Sequence, residues 1–310
     1  MKRIANWGFD HIRLPIDEQQ MWNDSGEKET EAFDLMDSAL DWAEEAGLKV
    51  IIDLHILRSH FFISTMEPKL FTDPAEAQKF SDLWRQLSDR LKCRANDRVA
   101  YELLNEAVAT DPQDWNRVAM GAFQTIRELE PDRVIVLGSN HWNSALTFDD
   151  LHVPDDKNTI LTFHFYHPML VTHHRAQWCA EGRMYDGLIQ YPGRPIPDEH
   201  AGKARLPEDV RLVKLKMEDI NKPYDRNSMV ADMAKPIAAA EKNGLPLYCG
   251  EFGVINLAPQ PVRHAWYRDI ISVFNEYGIG WANWDYKGTF GIVEKNGQST
   301  GIAEAMLSVS

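Results

Sequence analysis

Two glutamates stand at the ends of apolar runs, where a buried strand has no need of a carboxylate. Glu106 closes Leu103-Leu104-Asn105-Glu106, and Glu251 closes Leu247-Tyr248-Cys249-Gly250-Glu251. A pair of carboxylates at the ends of different strands suits hydrolysis of a glycosidic bond. One acts as general acid and base and the other as nucleophile, and retention of configuration calls for a separation of about 5–5.5 Å. Taken singly, either residue also reads as a solvated strand-end carboxylate or as half of an ion pair with Arg13. Other polar residues recur at the same ends of the apolar runs: Arg13, Asp53 and His55, Asn105, His164 and Tyr166, and Trp284. Packing alone accounts poorly for such a set. Asp53 shares a strand face with His55, which makes it a buried hydrogen-bonding partner rather than a third catalytic acid.

The elements that must hold these residues alternate regularly. Strands are expected over 9–16, 50–54, 99–104, 134–137, 160–165, 247–250 and 279–284. Helices are expected over 32–46, 74–91, 114–129, 228–242 and 261–277, several closing at a glycine such as Gly47, Gly244 or Gly278. Short strands that are apolar on both faces, separated by amphipathic helices, predict a parallel sheet. With seven of them in one chain, an α/β fold of the (β/α)8 TIM-barrel type leads over a doubly wound open sheet, and polar strand ends then mark the active face. No Gly-rich phosphate loop follows any strand, which weakens a nucleotide-binding open sheet. A polar stretch from about 167 to 227 interrupts the rhythm, as functional loops do. No linker-like tract divides the chain, so residues 1–310 read as one domain.

Composition narrows the partners. The chain has 310 residues, 44% hydrophobic and 26% charged, with a formal net charge of −14. No basic stripe suits nucleic acid, and no apolar run is long enough to span a membrane. Three cysteines form no metal motif. His164, His167, His173 and His174 cluster locally, but their spacing follows no zinc pattern, so neither a metal nor another cofactor is expected. Residues 1–9 carry no apolar signal core, which leaves the compartment open. Of the ten tryptophans, most should pack in the core, while Trp22, Trp142 and Trp178 follow strands and are candidates for a cleft wall.

These residues resemble glycoside hydrolase family 5, the cellulase and mannanase family of the retaining barrel clan, from Phe9 to about Ile292. Asn105-Glu106 is similar to the acid/base motif after strand four, and Glu251 within Gly-Glu-Phe-Gly to the nucleophile at strand seven. Arg13 in His-Ile-Arg-Leu-Pro, His55, His164 and Tyr166 in Phe-His-Phe-Tyr, and Trp284 are similar to the family's substrate-binding and positioning residues. The resemblance implies a retaining hydrolase of a β-linked polysaccharide, most simply an endo-β-1,4-glucanase, with β-mannanase or another β-glycanase as the alternative. A barrel relic that binds carbohydrate without cutting it is the rival of a different class. The resemblance also implies that Asn105 bonds the sugar 2-hydroxyl, that His55 and His164 position sugar and carboxylates, and that Trp284 stacks under the sugar.

The start departs from the family. Only Met1 to Trp7 precedes the strand bearing Arg13, where family members have a first strand and helix. A barrel of seven parallel strands, incomplete at its N-terminus, is therefore expected. Its open edges would favour cover by a second copy of the chain.

Overall fold

The computed structural model describes residues 1–64, 66–205 and 217–309. Its seven strands are β1 (His11–Asp17), β2 (Lys49–Ile56), β3 (Val99–Glu102), β4 (Ile135–Gly138), β5 (Thr159–Phe165), β6 (Leu247–Phe252) and β7 (Gly280–Asn283). They form one sheet in sequence order, and the pairs from β1 through β5 are parallel, with registers such as Arg13 opposite Ile51 and Ile52 opposite Tyr101. The fold is the (β/α)8 TIM-barrel type. The strand that carries Arg13 is the first of the seven. Residues Lys2–Trp7 before it form a short helix that ends at Gly8 in the left-handed region, φ 102°. Met1, Ile4 and Ala5 pack against the core.

The chain falls into two compact units. The first comprises Met1–Phe163 and Lys235–Tyr248, the second His164–Ala234 and Cys249–Ser310, so two of the three boundaries fall within strands, β5 and β6, and the third at the start of the helix Ala234–Asn243.

In the first unit the amphipathic helices Thr30–Glu45, Pro74–Leu91 and Pro112–Leu129 bury one face each, led by Phe33, Met36 and Leu40, by Phe80, Leu83 and Leu87, and by Val118, Ala122 and Ile126. The last two start alike. Asp73 and Asp111 accept hydrogen bonds at 2.9 Å from the backbone N–H groups of Ala75 and Gln113, and Pro74 and Pro112 occupy the first helical position, where a missing N–H costs nothing. Each helix also sends a fully buried tryptophan to a backbone carbonyl of the chain next to it. The Trp84 indole N–H donates to Leu103 O at 3.0 Å, and that of Trp115 to Gly138 O at 2.9 Å. Leu103 lies two residues before Asn105, so Trp84 fixes the chain as it leaves β3. Trp84→Phe should lower stability by about 1–3 kcal/mol, because the buried carbonyl loses its donor. Urea unfolding checks this, and an unchanged midpoint would show that the bond contributes nothing.

In the second unit Phe252 of β6 sits among Trp266, Tyr267, Phe274 and Trp281 at centroid distances of 5.1–6.2 Å. Trp266 also stacks on Phe165 at 6.5 Å and donates its indole N–H to His167 O. Helix Gln260–Tyr277 supplies most of this cluster and closes at Gly278, φ 63°. The single helix expected over 228–242 is two, Arg226–Asp232 and Ala234–Asn243. Pro236 explains the break, since its ring crowds the carbonyl of Asp232 four residues earlier and it has no N–H to give. Of the long polar stretch, 206–216 lie outside the described residues.

Candidate active site

The first unit holds Arg13, His55, Asn105 and Glu106. Arg13 lies in the middle of β1 with its guanidinium buried. It donates through Nε to Glu102 Oε2 at 2.6 Å and through Nη2 to Glu102 Oε1 at 3.0 Å and Asn105 Oδ1 at 2.9 Å. Asp53 Oδ2 lies 3.0 Å from the same nitrogen and 2.6 Å from His55 Nδ1. A buried guanidinium thus meets two buried carboxylates and holds Asn105, the kind of pairing that charges in the interior require, while Asp53 in turn holds His55 through Oδ2 and its Oδ1 meets no donor among the described residues. Glu102 is the member that sequence reasoning missed. Asn105 Oδ1 is taken by Arg13, and Asn105 Nδ2, fully buried, meets no acceptor among the described residues. Such an orphaned donor is costly unless something else bonds it.

Glu106 lies beyond the end of β3, at φ 48°. A side chain other than glycine in this region is strained, by about 1–2 kcal/mol, and such strain concentrates at functional sites. The buried His60 lies close by. Burial pushes its imidazole down to about 4, partly opposed by the Glu106 backbone, and its ring meets Phe71 edge-on. The Trp142 backbone N–H donates to Ala107 O at 3.1 Å and its indole to Phe62 O at 2.8 Å. Its ring is 50% exposed, and its backbone bond holds it beside the loop that carries Glu106. His141, Trp142 and Asn143 all have positive φ. Trp22 corrects the expectation of a cleft residue. It is fully buried, edge-on to Phe33, with its N–H on Gln86 Oε1.

The second unit holds His164, Tyr166, Glu251 and Trp284. Glu251 is inside β6 and buried. The Tyr166 hydroxyl donates to Glu251 Oε2 at 3.0 Å, and His164 Nδ1 lies 3.7 Å from the same oxygen. The Cys249 thiol donates to Glu251 O, and burial, with the Glu251 charge adding, raises that thiol well above its usual range. Trp284 follows β7 and donates its backbone N–H to Phe252 O at 3.0 Å. Trp178 is 55% exposed, against His173 and Phe290. Of the histidine cluster, His173 and His174 are buried and held at about 4 by that burial, while His167 pairs with Asp232 at 3.1 Å. All three cysteines are free, and no described helix is long and apolar enough to cross a membrane.

A barrel-type fold carrying acid and amide side chains at its strand ends is the kind of site that hydrolysis of a glycosidic bond requires. The family model described as Cellulase (glycosyl hydrolase family 5) matches residues 1–289. The chain belongs to that family, and it is a retaining glycoside hydrolase. Among its relatives, Endoglucanase C of Acetivibrio thermocellus is 33% identical over 289 residues, covering 93% of this chain and 82% of that protein. Cellodextrinase A of Ruminococcus flavefaciens is 31% identical over 283 residues, covering 90% and 75%. The solved structure of Thermotoga maritima Cel5A with cellobiose shares the fold at a TM-score of 0.78 and 24% identity, covering 98% of this chain and 88% of that one.

Proposed function

We propose that this chain is one catalytic domain that cleaves β-1,4-glucan within the chain, with Glu106 as acid/base and Glu251 as nucleophile. The likeness to Endoglucanase C over 93% of the chain carries the reading of substrate. In the first step a Glu251 oxygen attacks the anomeric carbon while Glu106 gives its proton to the departing glycosidic oxygen. In the second, the Glu106 carboxylate takes a proton from water, whose oxygen attacks the same carbon and frees Glu251. The bond from Tyr166 supports Glu251 as the group held in one orientation. The unmatched Asn105 amide supports that residue as donor to the 2-hydroxyl of the sugar at the cleavage point. Arg13 holds Asn105 in place, His55 and His164 position sugar and carboxylate, and Trp284 stacks beneath the sugar.

The test is a panel of carboxymethylcellulose, glucomannan, xylan and β-1,3-glucan, with proton NMR of the first product. A rapid fall in carboxymethylcellulose viscosity with a β-configured product is expected. Faster turnover of glucomannan would move the reading to β-mannanase, and binding without new reducing ends would favour a non-catalytic carbohydrate binder. Likeness to Cellodextrinase A favours a second reading, cleavage of short cello-oligosaccharides. High activity on cellotetraose with unchanged viscosity would select it. Cover of the sheet edge by a second copy of the chain is proposed with it, to be read by light scattering.

A further inference from the structure

The described part of the second unit contains an aromatic assembly behind Tyr166 that the reaction itself does not use. His173 is buried, and its ring meets Tyr166 edge-on, with centroids 5.0 Å apart and planes at 74°. Phe290 closes the third side, 5.2 Å from His173 and 5.8 Å from Tyr166. Trp178 covers the far edge of His173 at 6.2 Å. The His173 ring is itself held. Its Nδ1 lies 3.1 Å from the Thr172 hydroxyl, and that hydroxyl donates to the Tyr166 backbone carbonyl. The His173 carbonyl accepts from Ala176 N–H at 2.9 Å. Gly182 sits against the carbonyls of His173 and Ala176 so closely that a Cβ there would collide with both. Thr172 therefore ties the chain of Tyr166 to the ring of His173, and the backbone around His173 leaves that ring little freedom.

We propose that His173 is a positioning residue that fixes the Tyr166 ring, and through its hydroxyl the Glu251 carboxylate, in the orientation needed for attack. The geometry favours a neutral ring in this role. The faces and edges around His173 are those of Tyr166, Phe290 and Trp178, and burial alone shifts its imidazole, downward to about 4. An edge-on aromatic contact limits ring rotation and adds about 0.5–1.5 kcal/mol beyond area burial. Tyr166 has one torsion that swings its hydroxyl relative to Glu251, and a ring packed on two sides cannot turn about it freely.

This inference rests on Glu251 as nucleophile, and the experiment separates the two. Activity and burst kinetics on an aryl cellobioside would be measured for His173→Ala, His173→Phe, Tyr166→Phe and the double variant His173→Ala/Tyr166→Phe, with Glu251→Ala as reference. Small displacements of a reacting group cost rate steeply, so His173→Ala should lower kcat about 10-fold or more with KM changed less than about 2-fold. His173→Phe should recover most of that loss. In the Tyr166→Phe background, where the hydroxyl to be positioned is gone, His173→Ala should cost less than about 2-fold. Equal losses with and without the Tyr166 hydroxyl, or a KM increase that accounts for the whole effect, would overturn the proposal. If His173→Ala does not fold, His173→Asn, which keeps reach to Thr172 but no ring, carries the same comparison. An active Glu251→Ala enzyme would instead sink the nucleophile assignment, whatever His173 does.

Discussion

Glu251→Ala should reduce turnover of polysaccharide by more than the 10²–10⁴-fold that loss of an acid/base group alone brings about. Without the carboxylate no glycosyl-enzyme forms, and neither the phenol nor the thiol described beside Glu251 substitutes. The Tyr166 hydroxyl donates to Glu251, and a protonated phenol is a poor nucleophile. The Cys249 thiol points to the Glu251 carbonyl and is held protonated by burial. Azide added to this variant should enter the space of the lost side chain and give an α-glycosyl azide. In Glu106→Ala the same anion should attack the glycosyl-enzyme from the opposite face, restoring turnover as a β-glycosyl azide. NMR of the two products decides the roles. The reverse pairing of variant and anomer would exchange them, and rescue of neither would remove both from the mechanism.

Arg13→Ala should cost about 3–5 kcal/mol of stability, the range for removing one partner from a buried ionic cluster. Two buried carboxylates, Glu102 and Asp53, lose their shared cation, and Asn105 loses its donor. The carboxylates would then stand on strands β2 and β3 without the guanidinium they share. Chemical denaturation measures the loss. Adding Glu102→Gln to Arg13→Ala should return part of it, because an amide is less costly to bury than an unpaired charge. A strictly additive double variant would mean that the two residues are not coupled. Activity should also fall, since Asn105 Oδ1 is held by Arg13 and the next residue is Glu106.

Much of this arrangement was legible in the sequence because strand ends announce themselves. An apolar run that stops at Asn-Glu or at Gly-Glu has one physical reading, a buried strand meeting a polar face. The helix over 74–91 was equally plain, while the one expected over 114–129 starts two residues earlier, at Pro112 behind the Asp111 cap. Glu102 was not legible. It lies inside the strand, three residues before Asn105, and the run around it reads as apolar on both faces. Its partner is 89 residues away in sequence, and no local pattern links them. Trp22 misled for a related reason. A tryptophan after a strand can face a cleft or turn back under a helix, and what decides it is Gln86, 64 residues further on. The break near Met233 was present in the sequence as Pro236, but the apolar spacing continues across it and masks the signal.

The backbone at Glu106 sets two demands against each other. At φ 48° glycine or asparagine would sit with less strain, glycine by about 1 kcal/mol or more. A library of variants at this position sorted for folding alone should therefore drift towards those two residues. The same library sorted for turnover should return to glutamate. Position 106 is thus a place where a thermostability screen and an activity screen select opposite winners, and engineering this enzyme for heat resistance should hold that residue fixed.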